Sequence, residues 1–277
     1  MNKQYLIISV LLTTLTGCSS TETKQLPFSS ESNKPLQHEA TSEATSLDSI
    51  EKKALDVLKQ MSDVLSSSPA YTFKALIVKE QVLPSGQKLQ YDSTILVKMQ
   101  RPNALYVNKI SGTKKQTMWY HDTTFTLLDK KKNFYATTQT PDNTEDMLDF
   151  IMERHGVNMP LADFVFKDLY SDLIENVLSG FYVSEAEVNG IKTHHLAFHQ
   201  DNVDWQIWID AEGDPVPRKL VITYRDLESV PQFAAFFKDW NLSAKFKTNE
   251  FVYQPPESAV KIDFRSEKIV NPEASAQ

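Results

Sequence analysis

Apolar residues at Leu47, Ile50, Ala54, Val57, Leu58, Met61 and Leu65 recur three and four positions apart, the spacing that gathers them on one helix face. The run Ser66-Ser67-Ser68-Pro69 ends the pattern, because serine competes for backbone hydrogen bonds and proline has no N–H to give. Beyond it the period shortens to two. Tyr71 to Leu83, Lys88 to Gln100, Ala104 to Ser111, Lys115 to His121, Thr124 to Leu128 and Asn133 to Thr140 read as strands, separated by short turns rich in Pro, Gly, Asn and Asp. Two helical stretches interrupt the series: Thr144 to His155, stopped at Gly156, and Leu161 to Val177, with Pro160 in its first turn. Strands then resume as Phe181 to Val188, Ile191 to His199, Trp205 to Asp210, Arg218 to Arg225 and Gln232 to Leu242. Asn189-Gly190 joins the first two of these, and Asn-Gly suits a two-residue hairpin because both residues accept positive φ.

Eleven strands and three helices without βαβ alternation define an α+β fold built on a single antiparallel sheet. An open sheet that wide curls, so the expected form is a strongly curved half-barrel of about eleven strands lidded by three helices. The chain carries 15 Phe, 10 Tyr and 4 Trp, enough to line or to fill the space under the lid. Met147, Phe150 and Ile151 on the second helix, Leu161, Phe164 and Leu173 on the third, and Trp205 and Ile207 on a strand are the candidates for lining an apolar cavity. They are more numerous than one narrow core stripe needs, and methionine suits an adaptable surface. Ordinary packing of helices on a sheet accounts for them equally well.

Composition narrows the chemistry. The 277 residues include only 7 Gly, all ten or more positions apart, which removes the glycine-rich phosphate and dinucleotide loops and the nucleophile elbow. One cysteine, Cys18, excludes an internal disulfide, a redox pair and a cysteine-built metal site. Net charge is −7, the wrong sign for a nucleic-acid partner.

Ahead of the first helix the chain reads as an address. Lys3, an apolar stretch from Tyr5 to Leu12 and then Leu15-Thr16-Gly17-Cys18 resemble a bacterial lipoprotein signal, too short to span a membrane. The resemblance implies cleavage after residue 17, acylation of Cys18 and, with Ser19 instead of aspartate next, residence on the outer membrane facing the periplasm. Several acyl chains give an effectively permanent anchor. Residues 18–46, rich in Ser, Thr, Glu and Gln, are expected to form a disordered tether with a reach of roughly 30 Å. The half-barrel domain is then 47–265, and 266–277 a flexible tail.

His194, His195 and His199 invite a metal hypothesis. On one strand, however, His195 and His199 stand about 13 Å apart and His194 faces the other way, so a half-buried strand is the better reading. Glu185 with Glu187, and Asp201 with Asp204, are spaced like solvated surface carboxylates. No serine sits in an activated turn. The residues therefore call for no cofactor and no catalytic residue.

The blocks His194 to Asp201, Val203 to Ile209 and Pro217 to Tyr224, together with Ser85 to Gln90, Arg101-Pro102 and Asp146 to Phe150, resemble a bacterial family of predicted periplasmic proteins. That family resembles a branch of the outer-membrane lipoprotein carrier (LolA/LolB-like) superfamily. The resemblance covers roughly residues 50 to 265 and implies a half-barrel over an apolar cavity that binds acyl chains or a lipidated protein. The leading expectation is thus a membrane-anchored periplasmic lipoprotein that binds a hydrophobic ligand and is not an enzyme. The alternative is an envelope sensor or scaffold whose half-barrel contacts another protein and whose cavity is filled.

Overall fold

A computed structural model describes residues 49 to 264. Cys18, the signal-like segment, the tether at 18–46 and the tail at 266–277 lie outside the described residues, as do residues 47, 48 and 265. A helix, α1 (Lys52–Ser67), precedes six strands: β1 (Ala70–Val82), β2 (Lys88–Gln100), β3 (Ala104–Ser111), β4 (Lys114–His121), β5 (Thr124–Asp129) and β6 (Phe134–Gln139). Helices α2 (Thr144–His155) and α3 (Leu169–Ile174) follow, then β7 (Ser179–Val188), β8 (Ile191–His199), β9 (Val203–Asp210), β10 (Pro217–Tyr224), β11 (Gln232–Asn241) and the two-residue β12 (Val260–Lys261).

All strands join one sheet in the order β12-β6-β5-β4-β3-β2-β1-β11-β10-β9-β8-β7. Each half is a meander, and the seam between halves is the antiparallel pair β1 and β11, with Leu76 opposite Phe236. The count exceeds the expected eleven by β12, which pairs parallel with β6 at Phe134 and Tyr135. Two residues carry no detectable alternation, so nothing in the pattern marks them.

Alternation decides which side of the sheet is covered. Tyr71, Phe73, Ala75 and Ile77 on β1, Ile95, Val97 and Met99 on β2, and Val203, Trp205, Ile207 and Ile209 on β9 are all buried on the inner face. Helix α1 lays Ala54, Leu58, Met61 and Leu65 on that face. The side chain of Asn143 caps α2 by accepting from the Asp146 amide at 2.9 Å, and Gly156 closes the helix in the left-handed region at φ 61°. None of the described helices is long and apolar enough to cross a membrane.

The helix expected over Leu161 to Val177 is broken. Leu161 has φ 64°, a 3-10 turn covers Ala162–Val165, Phe166 is extended, and α3 is only six residues long. Ala162, Asp163, Phe164 and Val165 are all buried. Four consecutive buried residues rule out a one-sided helix, which would turn at least one of them outward.

After β11 the chain doubles back across the other, open face of the β1–β6 half. Lys98 on β2 meets Glu250 at 2.7 Å, and Tyr253 lies 4.7 Å from Trp119 and 5.3 Å from Tyr135, ring to ring. The strap then rounds the β6 edge, and Phe264 stacks on His155 at 4.6 Å. The open face of β7 to β10 has no such cover among the described residues.

Candidate functional site

The inner face and its roof form one continuous apolar cluster. Met147 and Ile151 of α2 are buried, as are Leu161 and Phe164 in the roof segment, Leu173 of α3, and Trp205 and Ile207 of β9. Phe150 is half-buried, edge-on to His155 at 5.8 Å and 5.4 Å from the Arg154 guanidinium. Phe164 packs edge-on against Phe237 at 5.1 Å, and Trp205 stacks on Phe198 at 4.2 Å. The structure thus places these residues in one apolar cluster between sheet and roof, with Phe150 packed against it.

Besides its apolar contacts, the roof is latched by a few hydrogen bonds, most of them to backbone groups. Arg101, at the turn between β2 and β3, donates from Nη1 to the Val165 carbonyl at 3.0 Å and from Nη2 to the Phe166 carbonyl at 3.1 Å. A longer contact of 3.4 Å reaches the Leu65 carbonyl at the end of α1. Tyr71 Oη donates to the Phe164 carbonyl at 2.7 Å. Burial pushes the Tyr71 phenol far above its ordinary range, against a smaller opposing pull from Arg101, so it remains a donor. From α1, Ser66 donates to the Lys167 carbonyl at 2.6 Å and Ser62 accepts from the Tyr170 amide at 2.9 Å.

The segment leading into these latches is bent at a costly point. A leucine in the left-handed region stores on the order of 1–3 kcal/mol, and Leu161 lies between Gly156 and the 3-10 turn. Inside the roof, Asp163 and Tyr224 are buried close enough to interact: burial, with the Asp163 charge adding to it, pushes the Tyr224 phenol up to about 12. Tyr224 Oη is buried without a hydrogen-bond partner among the described residues.

The histidines are engaged one by one. Tyr182 Oη lies 3.0 Å from His194 Nδ1; His195 Nε2 is 2.9 Å from Gln206 Oε1, with its ring stacked on Trp208 at 4.1 Å; His199 Nδ1 is 2.6 Å from Asp204. Among the described residues no group of three His, Cys, Asp or Glu is placed to hold a metal ion. On the open face beside them lies a groove of about 380 Å³, walled by Phe181 and Val183 of β7 and by His195, His199, Asp204 and Gln206. Sequence reasoning missed this groove, the Arg101 and Tyr71 latches, and the strap. Arg101 stood in a recognised motif, but nothing local says that its guanidinium reaches carbonyls more than sixty residues away.

A single curved antiparallel sheet roofed on one face by helices defines the class: an α+β half-barrel with an apolar interior. Within that class, residues 54–265 match the model of the DUF2092 family, described as predicted periplasmic proteins, and the chain belongs to that family. Solved structures are similar over most of the domain at low identity. MucB in the Pseudomonas aeruginosa MucA/MucB complex is 15% identical with a TM-score of 0.41, over 73% of this chain but only 61% of that one. LprF from Mycobacterium bovis is 10% identical with a TM-score of 0.41, over 71% and 96% of the two chains. A LolA superfamily protein from Nitrosomonas europaea is 8% identical with a TM-score of 0.35, over 72% and 97%. No curated protein sequence matches.

Proposed function

We propose that the protein is a periplasm-facing lipoprotein, held on the outer membrane by acylated Cys18, whose half-barrel takes up the acyl chains of a lipid or of a lipidated protein. The observation that carries this reading is the roof. Its underside is apolar apart from the buried Asp163, while it is fastened to the rest of the fold through its apolar contacts and a small set of hydrogen bonds centred on Arg101 and Tyr71. Such a roof lifts without disturbing the strand ladders. Acyl chains entering beneath it leave water at about 25 cal/mol per Å² of apolar surface, and no group has to make or break a covalent bond. We assign no catalytic role and no cofactor.

The test is native mass spectrometry of the folded domain purified from its bacterial host without residues 1–46. Co-purifying lipid, displaced by added fatty acyl probe, is the expected result. A clean apo mass that takes up no lipophilic probe overturns the proposal.

One observation favours the second reading, a sensor or scaffold in the envelope. The roof residues are packed against the sheet, and the open-face groove leaves Phe181 55% and Val183 41% exposed on the edge strand β7. A stable protein partner captured by crosslinking at Phe181, with no lipid under the roof, would select it.

A further inference from the structure

The apolar inner face ends in a cluster of lysines. On β1, Lys79 follows Ala75 and Ile77 in the inward-facing set; on β3, Lys109 follows Leu105 and Val107; on β4, Lys114 shares a face with Met118 and Tyr120. Lys109 stands opposite Ile95 and Lys114 across from Ser111, while Lys79, two strands from Lys109, stands opposite Tyr91, four residues beyond the Ala75 that shares the level of Lys109. Ile77, Ile95 and Val107 beside them are each about 3% exposed, so the cluster borders the apolar surface directly.

Lys79 and Lys109 are half-buried, and among the described residues neither side chain has a hydrogen bond or an ion pair. Two acidic side chains on the neighbouring strands are engaged elsewhere. Asp129, on the same face, accepts from the Lys131 and Lys132 amides at 2.9 and 3.1 Å. Glu80 points to the opposite face, where it accepts from the Gln232 amide and meets Lys88 at 3.4 Å. Burial lowers the pKa of both Lys79 and Lys109, and the charges of Lys79 and Lys114 lower that of Lys109 further. Unpaired like charges at the rim of an apolar face are unfavourable unless an anion arrives from outside.

We propose that Lys79, Lys109 and Lys114 hold the phosphate-bearing head group of an amphiphile whose acyl chains lie along the inner face. This rests on the lipid-uptake reading and adds to it the class of head group. A charged phosphate accepts from ammonium donors more strongly than a neutral hydroxyl does, and each such charge-assisted bond is worth about tenfold in affinity.

The experiment offers the full-length protein in mild detergent an equal mixture of phosphatidic acid and diacylglycerol with identical chains, and reads the bound ratio by native mass spectrometry. Phosphatidic acid should win by at least about tenfold. In the Lys79→Gln/Lys109→Gln protein the preference should fall to within about twofold while diacylglycerol still binds; in Lys79→Arg/Lys109→Arg it should persist. An even ratio in the unmodified protein, a preference that survives the glutamine changes, or one lost in the arginine protein overturns the head-group assignment alone. Millimolar inorganic phosphate abolishing the preference assigns the lysines to a free anion and overturns it too. If neither lipid binds, the lipid-uptake reading falls and this inference falls with it.

Discussion

Replacing Arg101 by methionine keeps most of the side-chain stem and removes the guanidinium that bridges the sheet to the roof. Two well-formed bonds to the Val165 and Phe166 carbonyls are lost, at 3.0 and 3.1 Å, while the 3.4 Å contact to Leu65 counts for little. Bonds from a charged donor are worth about 1.5–3 kcal/mol each. Against that, Arg101 Nε is buried without a partner among the described residues, so the closed state already bears a cost that the substitution relieves. A net loss of about 2–3 kcal/mol follows. If the roof opens as a local unit, this loss falls on opening alone and raises the open population roughly 30- to 150-fold.

Hydrogen exchange separates that outcome from general destabilisation. The amides of Phe164 and Phe166, bonded to the Leu161 and Asp163 carbonyls within the roof, should lose protection by the same factor. Amides in the β1–β2 ladder, where Ala75 pairs with Ile95, should keep theirs. Uptake of a fatty acyl probe should accelerate in parallel. Equal loss of protection in roof and ladder would show that Arg101 supports the whole fold, and the latch argument would be wrong. So would unchanged exchange in the roof.

Other perturbations test neighbouring claims. Tyr71→Phe leaves the Phe164 carbonyl short of a donor in the core, at about 1–3 kcal/mol, and should loosen the same roof amides less than Arg101→Met does. Gly180→Ala puts a Cβ 2.4 Å from Phe198 Cδ1 and 3.2 Å from the Ala197 carbonyl; the overpacking should cost about 1–3 kcal/mol, read as a fall in Tm of several degrees. Burial disfavours the Asp210 carboxylate, but the Gly213 amide, Arg218 and the Glu212 amide outweigh it and hold its pKa below the ordinary 3.8. Its folded pKa is therefore depressed, so its contribution is full above the ordinary value and fades as pH falls through the depressed one. Asp210→Asn should lower Tm at neutral pH, and the difference from the unmodified protein should shrink in acid; a gap independent of pH refutes the ion pair as its source. Cys18→Ser should abolish palmitate labelling and set the protein free from the outer-membrane fraction, and unchanged fractionation would refute the anchor.

Strand after strand was legible because one face of this sheet is buried and the other mostly wet, so alternation survives in residues such as Val203, Trp205, Ile207 and Ile209. Legibility failed where that asymmetry fails. Ala162 to Val165 are buried on every side, so their apolar run imitates a helix that the backbone breaks at Leu161. Phe246, Phe251 and Tyr253 carry the ring contacts of the strap, yet they lie in no regular element longer than a 3-10 turn, so no periodicity marked it. The cavity candidates Met147, Ile151, Phe164 and Trp205 were readable as apolar and facing inward, but whether they line space or fill it depends on packing between elements distant in sequence. The groove at Phe181 was hidden for the same reason: its walls come from β7, β8 and β9 together.

The two faces of the sheet are closed by different physics, and that difference bears on function. Over the β1–β6 half the open face is covered by a strap whose ends are fixed by rings, by the Lys98 to Glu250 pair and by the β12–β6 pairing, with Asn133 donating to the Ser258 carbonyl at 2.7 Å. Lifting it would break strand pairing and expose Phe251. The roof on the inner face pairs with no strand. It rests on dispersion between apolar side chains, which acyl chains can replace nearly in kind, and on latches to backbone carbonyls, which can be broken and remade without altering any side chain beneath. On the proposed lipid-uptake reading, the face that would open is therefore the inner one, with Leu161 and Gly156 at the bend where the backbone already departs from helix.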